Sequence, residues 1–170
     1  MRIHTFCRET ISNWINRMSE KELLDLSSYA LIISINTPDL PEIKFDGEDC
    51  PFPKYLITKG IVLPLWFADA TPEAAVNKHL LMQPEQAKAI REFMDKHIIP
   101  KNNTYTDLYI HCSAGRSRSA AVAIVLNDYI NRFLEDNIDD WHWSSEMGFE
   151  KPPMPNPYVA KILKEELYHG

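Results

Sequence analysis

Cysteine, glycine and long apolar runs are all scarce in this chain of 170 residues. Its three cysteines, Cys7, Cys50 and Cys112, do not form a pairable disulfide framework, and together with the six histidines they show no metal-ligand spacing. The five glycines are scattered, and no internal repeat or low-complexity segment occurs. We therefore expect reduced thiols, no metal site and no other cofactor.

Positive charge is also in short supply. The chain has 18 Lys and Arg against 24 Asp and Glu, which gives a net charge of −6. Proteins that bind nucleic acid usually present a basic surface, so we expect no nucleic-acid partner. No stretch is apolar for long enough to span a bilayer, and residues 1–9 contain no apolar block of a signal peptide. These features predict a cytoplasmic protein without membrane contact.

The order of apolar segments indicates the fold class. Continuous apolar runs predict strands at residues 30–35, 61–67 and 108–111, and Pro64 places the second of these at a sheet edge or a bulge. Helical periodicity predicts helices at 10–18, from Pro84 to just before Pro100, at 119–134 and at 158–168. Strands that alternate with helices predict a single α/β domain over residues 1–170, with a mostly parallel central sheet flanked by helices.

The most informative segment connects the predicted strand at 108–111 to the predicted helix at 119–134. A loop between a strand end and a helix start binds phosphate well, because its backbone N–H groups lack intrahelical partners and the helix dipole adds positive potential. The segment reads His111, Cys112, Ser113, Ala114, Gly115, Arg116, Ser117, Arg118 and Ser119.

The side chains of this segment suit nucleophilic attack on a phosphate ester. A helix N-terminus and nearby cations favour the thiolate form of a cysteine, so Cys112 is a candidate nucleophile. Arg118 offers a planar fork that matches two phosphate oxygens, which lysine cannot reproduce. Gly115 permits a tight backbone turn, the hydroxyls of Ser117 and Ser119 can bond the loop or the sulfur, and His111 can fix the loop through a ring nitrogen.

This run resembles the active-site signature of the cysteine-dependent protein tyrosine phosphatase superfamily, which reads His-Cys-five residues-Arg-Ser/Thr. Its Ala-Gly and Ser-Arg-Ser are most similar to dual-specificity phosphatases. The resemblance implies a phosphatase-like fold in which the loop 113–118 binds phosphate and Cys112 becomes a phosphocysteine. It also implies that Arg118 clamps the phosphoryl group, that Ser119 helps the intermediate to hydrolyse and that a phosphorylated protein or peptide is the substrate.

The reaction also needs a proton donor, because cleavage of a phosphate monoester leaves an alkoxide or phenolate. The resemblance points to an aspartate on a loop after a strand upstream of the cysteine. Asp69, after the predicted strand at 61–67, matches best, although residues 72–83 separate it from Cys112 by more than the family usually shows. Asp46 and Asp49, in the acidic loop at 38–53, are alternative candidates.

Two other functions remain open on the sequence. One is a phosphatase of the same superfamily for a non-protein substrate, such as a phosphoinositide or an RNA 5′ phosphate. Extra basic residues in the loop would favour such polyanions, and here only Arg116 is extra. The other is a module that binds phosphorylated partners without hydrolysing them, which would require the proton donor to be misplaced.

Overall fold

The structure is a computed structural model that describes residues 2–75, 77–98, 104–133 and 153–170. Within these residues, strands and helices alternate along the chain, as the sequence predicts. The strands are β1 (Arg2–Cys7), β2 (Ala30–Asn36), β3 (Val62–Trp66) and β4 (Asp107–Cys112). The α-helices are α1 (Arg8–Arg17), α2 (Glu20–Leu26), α3 (Lys54–Thr58), α4 (Pro84–His97), α5 (Arg118–Phe133) and α6 (Pro157–His169).

The four strands form one parallel sheet in the order β1-β4-β2-β3. This confirms the α/β class and the parallel sheet. β3 lies at one edge, where Pro64 can sit without removing a hydrogen bond from an inner ladder. Helix α5 begins at Arg118, one residue earlier than predicted, and the predicted last residue, Leu134, lies outside the described residues.

Apolar side chains cover both faces of the sheet. All seven residues of β2 are buried, and alternate residues point to opposite faces. On one face, Leu31, Ile33 and Ile35 pack with buried residues of α4, α5 and α6. On the other, Ala30 and Ile32 pack with buried residues of α1, α2 and α3. None of the described helices has the length and apolar composition needed to cross a bilayer.

The parallel sheet brings three connecting segments to one edge. The loop 113–117 follows β4, the loop 37–53 follows β2, and the segment 67–83 follows β3. Because the strands are parallel, all three segments begin at the same carboxyl edge, which is where open α/β sheets bind ligands.

Candidate active site

Cys112 is the last residue of β4, and its side chain is 1% exposed. Its Sγ accepts a hydrogen bond from the backbone N–H of Gly115 at 3.2 Å and lies 3.1 Å from Ser119 Oγ. Gly115 has a φ of 69°, a left-handed conformation that glycine adopts without strain, so it lets the loop curl around the sulfur. One N–H of the loop and the Ser119 hydroxyl at the start of α5 therefore contact the sulfur.

Three carbonyl oxygens of the loop 113–117 accept hydrogen bonds from backbone N–H groups of other segments. Ser113 O accepts from the backbone N–H of Arg8 at 3.1 Å, and Arg116 O accepts from that of Met154 at 2.9 Å. Ser117 O accepts from the backbone N–H of Asn156 at 3.1 Å. These contacts hold the loop against neighbouring segments, and backbone N–H groups at such a strand-to-helix junction can complement an anion.

His111, directly before the cysteine, is buried and neutral near pH 7. Its Nε2 lies 2.6 Å from the hydroxyl oxygen of Ser34 on β2. Burial, reinforced by the positive charge of Arg8, lowers the pKa of His111 to about 4. The imidazole is thus an uncharged link between β4 and β2, and it fixes the strand end from which Cys112 projects.

Arg118, the first residue of α5, is 3% exposed and has one hydrogen-bonding group without a partner. One terminal nitrogen donates to Phe67 O at 2.7 Å, and the other donates to Ser113 Oγ at 2.7 Å. Among the described residues, nothing accepts from its buried Nε. Leaving a buried charged donor unpaired costs about 1–3 kcal/mol or more, which an anionic ligand would offset.

Ser113 connects Arg118 to a carboxylate that the sequence analysis missed. Ser113 Oγ donates to Glu48 Oε1 at 2.8 Å, and Glu48 Oε1 also accepts from the backbone N–H of Thr37 at 2.7 Å. Arg8 Nε lies 3.5 Å from the other carboxylate oxygen. Partial burial opposes ionisation of Glu48, but these hydrogen bonds and the charge of Arg8 outweigh it and lower the pKa of the carboxyl. Glu48 is therefore ionised and a poor proton donor, and it holds Ser113 in place by accepting its hydrogen bond.

Asp69 lies against the loop, within hydrogen-bond distance of two donors. Its Oδ1 accepts from Ser117 Oγ at 2.6 Å and from Asn156 Nδ2 at 2.9 Å. All three aspartates are exposed, but Asp69 lines the cavity that contains Cys112, whereas Asp46 and Asp49 do not. Of the three aspartates considered from the sequence, the fold thus brings Asp69 to the cysteine.

A cavity of about 520 Å³ opens above the cysteine, within the size range of small-molecule sites. It is lined by Cys112, Ser113, Ala114 and Arg118 and by residues of two other segments, 37–48 after β2 and the described part of 68–80 after β3. No group of three or more His, Cys, Asp or Glu side chains is placed to hold a metal ion in the described parts of the chain.

Asn156 and Glu48 are two of the site residues that sequence reasoning did not find. A signal existed for Asn156, because asparagine followed by proline is typical of a helix start. The signal, however, predicts only a cap for α6, not a contact with Asp69. No local pattern in the acidic loop distinguishes Glu48 from its neighbouring carboxylates.

In comparisons with known proteins, no family model, curated protein or solved structure matches this chain. The geometry of the site is therefore the main support for a function.

Proposed function

We propose that the chain is a phosphomonoester hydrolase that acts through a phosphocysteine, as a member of the dual-specificity type of the protein tyrosine phosphatase superfamily. One observation carries the proposal. The buried thiol of Cys112 shares a cavity with Arg118, whose Nε has no partner among the described residues, and both adjoin the strand-to-helix loop 113–117. A nucleophile set inside an anion cradle suits attack on phosphorus.

The first chemical step forms an S–P bond and breaks the P–O ester bond. The Cys112 thiolate attacks phosphorus, the leaving oxygen departs on the opposite side, and Asp69 gives it a proton. The loop N–H groups and Arg118 stabilise the charge on the other three phosphoryl oxygens. The products of this step are a phosphocysteine, a free alcohol or phenol and an ionised Asp69.

The second step returns the enzyme to its starting state. Ionised Asp69 takes a proton from a water molecule as that water attacks the phosphocysteine, and the S–P bond breaks to release phosphate. Ser119 Oγ, 3.1 Å from the sulfur, can donate a hydrogen bond to the departing thiolate. All three cysteines are free thiols, which is typical of a reducing compartment, so the proposal includes a cytoplasmic location.

The alternative of a non-catalytic binding module is less consistent with the geometry. Such a module requires a phosphate cradle but no proton donor beside it. Asp69 lines the same cavity as Cys112 and is held there by two hydrogen bonds, which supports catalysis over binding alone.

Asp69→Asn tests the proposal. The wild type is expected to release phosphate from aryl phosphates, and the variant should lose about 10²–10⁴-fold in kcat/KM on a phosphotyrosine peptide, because the poor leaving group needs the proton. On 2,4-dinitrophenyl phosphate, whose leaving group needs little protonation, the loss should be smaller. The wild-type kcat/KM should fall at alkaline pH, because the reaction needs a protonated acid in the free enzyme, and this alkaline fall should disappear in Asp69→Asn.

Asp46→Asn and Asp49→Asn are the matched controls for this experiment, since both residues are exposed carboxylates outside the cavity. Each should keep the wild-type pH profile. If either removes the alkaline fall while Asp69→Asn retains it, the proton donor is in the loop 37–53. A wild type that hydrolyses no phosphomonoester would refute the proposed activity.

A further inference from the structure

One amide side chain at the start of the last helix reaches the proposed proton donor. Asn156 is 5% exposed and immediately precedes α6. Its Nδ2 donates to Asp69 Oδ1 at 2.9 Å and to the backbone oxygen of Ala70 at 3.1 Å. Its Oδ1 accepts from the backbone N–H groups of Tyr158 and Val159 at 3.0 and 3.1 Å, which caps the helix. Asn156 therefore links α6 to the segment that follows β3.

These four hydrogen bonds use the full capacity of the amide, which has two N–H donors and one oxygen that accepts twice. They also fix the orientation of the amide, because the two capping N–H groups need an acceptor and the Ala70 carbonyl needs a donor. Capping alone requires only an oxygen, which serine, threonine or aspartate also supplies. Both N–H donors of Asn156 thus serve a purpose that capping does not explain, and both bond the segment that carries Asp69.

The backbone of Asn156 holds the loop 113–117 at the same time. Its N–H donates to Ser117 O at 3.1 Å, and Ser117 Oγ in turn donates to Asp69 Oδ1 at 2.6 Å. Together with the bond from the amide to Asp69, these contacts form a closed triangle of three residues from three segments. A closed and satisfied set of hydrogen bonds restrains its members more than a single contact does. The triangle therefore fixes Asp69 relative to the loop that follows Cys112.

Asp69 needs such a restraint because its side chain is exposed. Without partners in the protein, an exposed carboxyl group samples several rotamers in water. A general acid must lie within hydrogen-bond reach of the leaving oxygen, and a displacement of about 1 Å can cost about 10²-fold in rate. Asn156 and Ser117 both donate to Oδ1, which leaves Oδ2 as the oxygen that carries the proton to the leaving group.

We infer that Asn156 is a positioning residue for Asp69 and that it influences the reaction through that carboxyl group. The inference rests on the proposed phosphatase activity. In the first step Asn156 holds the acid towards the leaving oxygen, and in the second it holds the ionised carboxylate towards the attacking water. The titratable and charged groups on the segments around Asp69 are Glu42, Glu48, Glu73, Cys112, Arg116, Arg118 and Tyr158.

Asn156→Ser separates positioning from capping. A serine hydroxyl can cap the helix, so the thermal midpoint should stay within a few degrees of the wild-type value, but serine is shorter than the amide and offers at most one donor. The kcat/KM for phenyl phosphate should fall by about tenfold, because its leaving group needs the proton. The kcat/KM for 2,4-dinitrophenyl phosphate should fall much less. Both constants report only the steps up to formation of the phosphocysteine, so they isolate the acid role of Asp69.

The decisive measurement combines Asn156→Ser with Asp69→Asn. The Asp69→Asn variant has no acidic proton to position. If Asn156 acts through Asp69, adding Asn156→Ser to that variant should therefore change kcat/KM for phenyl phosphate by less than about twofold. If Asn156 only stabilises the helix or the loop, the same addition should slow the double variant by about the tenfold seen in the single one.

Asn156→Asp gives a readout that a purely structural role would not move. Its carboxylate can still accept from the two capping N–H groups, so the helix start should be retained. The new negative charge would lie beside Asp69 and make its proton harder to remove. The alkaline fall of kcat/KM should therefore move upward by about one pH unit or more.

Ser19→Ala is the matched control, because Ser19 caps α2 by accepting from the backbone N–H of Glu22 at 3.2 Å and does not line the cavity. It removes a helix cap but no contact with Asp69, so the thermal midpoint should fall while both kcat/KM values and the pH profile remain those of the wild type.

The outcomes distinguish this inference from the proposed function. Additive slowing in the double variant, equal slowing of both aryl phosphates by Asn156→Ser, or a wild-type pH profile in Asn156→Asp would overturn the positioning role and leave the phosphatase activity intact. If Asp69→Asn itself keeps the alkaline fall, the assignment of Asp69 fails and this inference with it. A wild type that hydrolyses neither aryl phosphate would overturn the proposed function and the inference together.

Discussion

Cys112→Ser is expected to lower kcat by about 10⁴-fold or more while phosphorylated peptide still binds. A serine hydroxyl is scarcely ionised near neutral pH, so the substitution removes the nucleophile. The proposed phosphate site should remain, because the serine Oγ can still accept from the Gly115 N–H and Arg118 is bonded to Phe67 O and Ser113 Oγ rather than to the sulfur. Phosphate release measures the loss, and calorimetry with a phosphotyrosine peptide measures the binding.

Acid quenching during turnover of a ³²P-labelled peptide gives an independent readout. The wild type should retain label on Cys112, and Cys112→Ser should retain none. Cys7→Ser and Cys50→Ser are matched controls, since both are free, half-buried cysteines that do not line the cavity, and both should label normally. Substantial hydrolysis by Cys112→Ser would show that another group attacks phosphorus.

The parts of the fold that the sequence predicts are those with strong local patterns. β2 and β4 are buried inner strands, and such strands consist of nearly continuous apolar residues. Their carboxyl ends place the loop 113–117 beside the loop 37–53. The proximity of Cys112 to Arg118 is a separate matter, because it follows from the spacing of the motif alone. The position of Pro64 on an edge strand was also predictable, because proline lacks the N–H that a strand inside the sheet needs for its hydrogen bonds.

Three elements, β1, α2 and α3, have no strong local sequence pattern that would predict them. β1 is polar at several positions and is stabilised by contacts distant in sequence, including His4 Nε2 at 2.7 Å from Asp107 Oδ1 on β4. α2 and α3 have seven and five residues, too few for a helical period to be read with assurance. These elements depend on tertiary packing more than on their own sequences.

The residues of the site, like the elements of the fold, differ in whether the sequence alone predicts them. The residues of the loop after β4, and Asp69 as one of three aspartates, could be proposed from sequence, whereas the distant side chains that bond them could not. Asn156 is 87 residues from Asp69, and Glu48 is 65 residues from Ser113, so only the folded chain brings each pair together. The signature predicts a candidate nucleophile and candidate phosphate-binding residues, and the folded chain shows which side chains contact them.

Arg118→Lys should reduce kcat by about 10³-fold with a much smaller change in KM. The guanidinium makes two hydrogen bonds and keeps a third donor without a partner among the described residues, a combination that a single ammonium cannot offer. Its two terminal nitrogens donate to Phe67 O and Ser113 Oγ, and its Nε remains unpaired for a ligand oxygen. A lysine keeps the positive charge and therefore part of the ground-state attraction, but it cannot present a rigid fork to oxygens that spread apart in the transition state.

The contact of Arg118 with Ser113 and Glu48 adds to the difference expected between arginine and lysine. Ser113 Oγ accepts from Arg118 and donates to Glu48, whose lowered pKa keeps it ionised. The shorter lysine side chain would leave Ser113 without its charged donor. Ser113, which lines the cavity, would then lose a contact and its fixed orientation. The expected loss is therefore mainly in kcat, where the geometry of the transition state matters.

The measurement requires kcat and KM separately, since their ratio alone does not distinguish weaker binding from slower chemistry. Arg132→Lys is the matched control, because Arg132 lies in the last turn of the same helix and pairs with Asp128 at the surface. It should leave both constants unchanged. If Arg118→Lys raises only KM, Arg118 binds ground state and transition state equally, and the stabilisation of the transition state must come from the loop N–H groups alone.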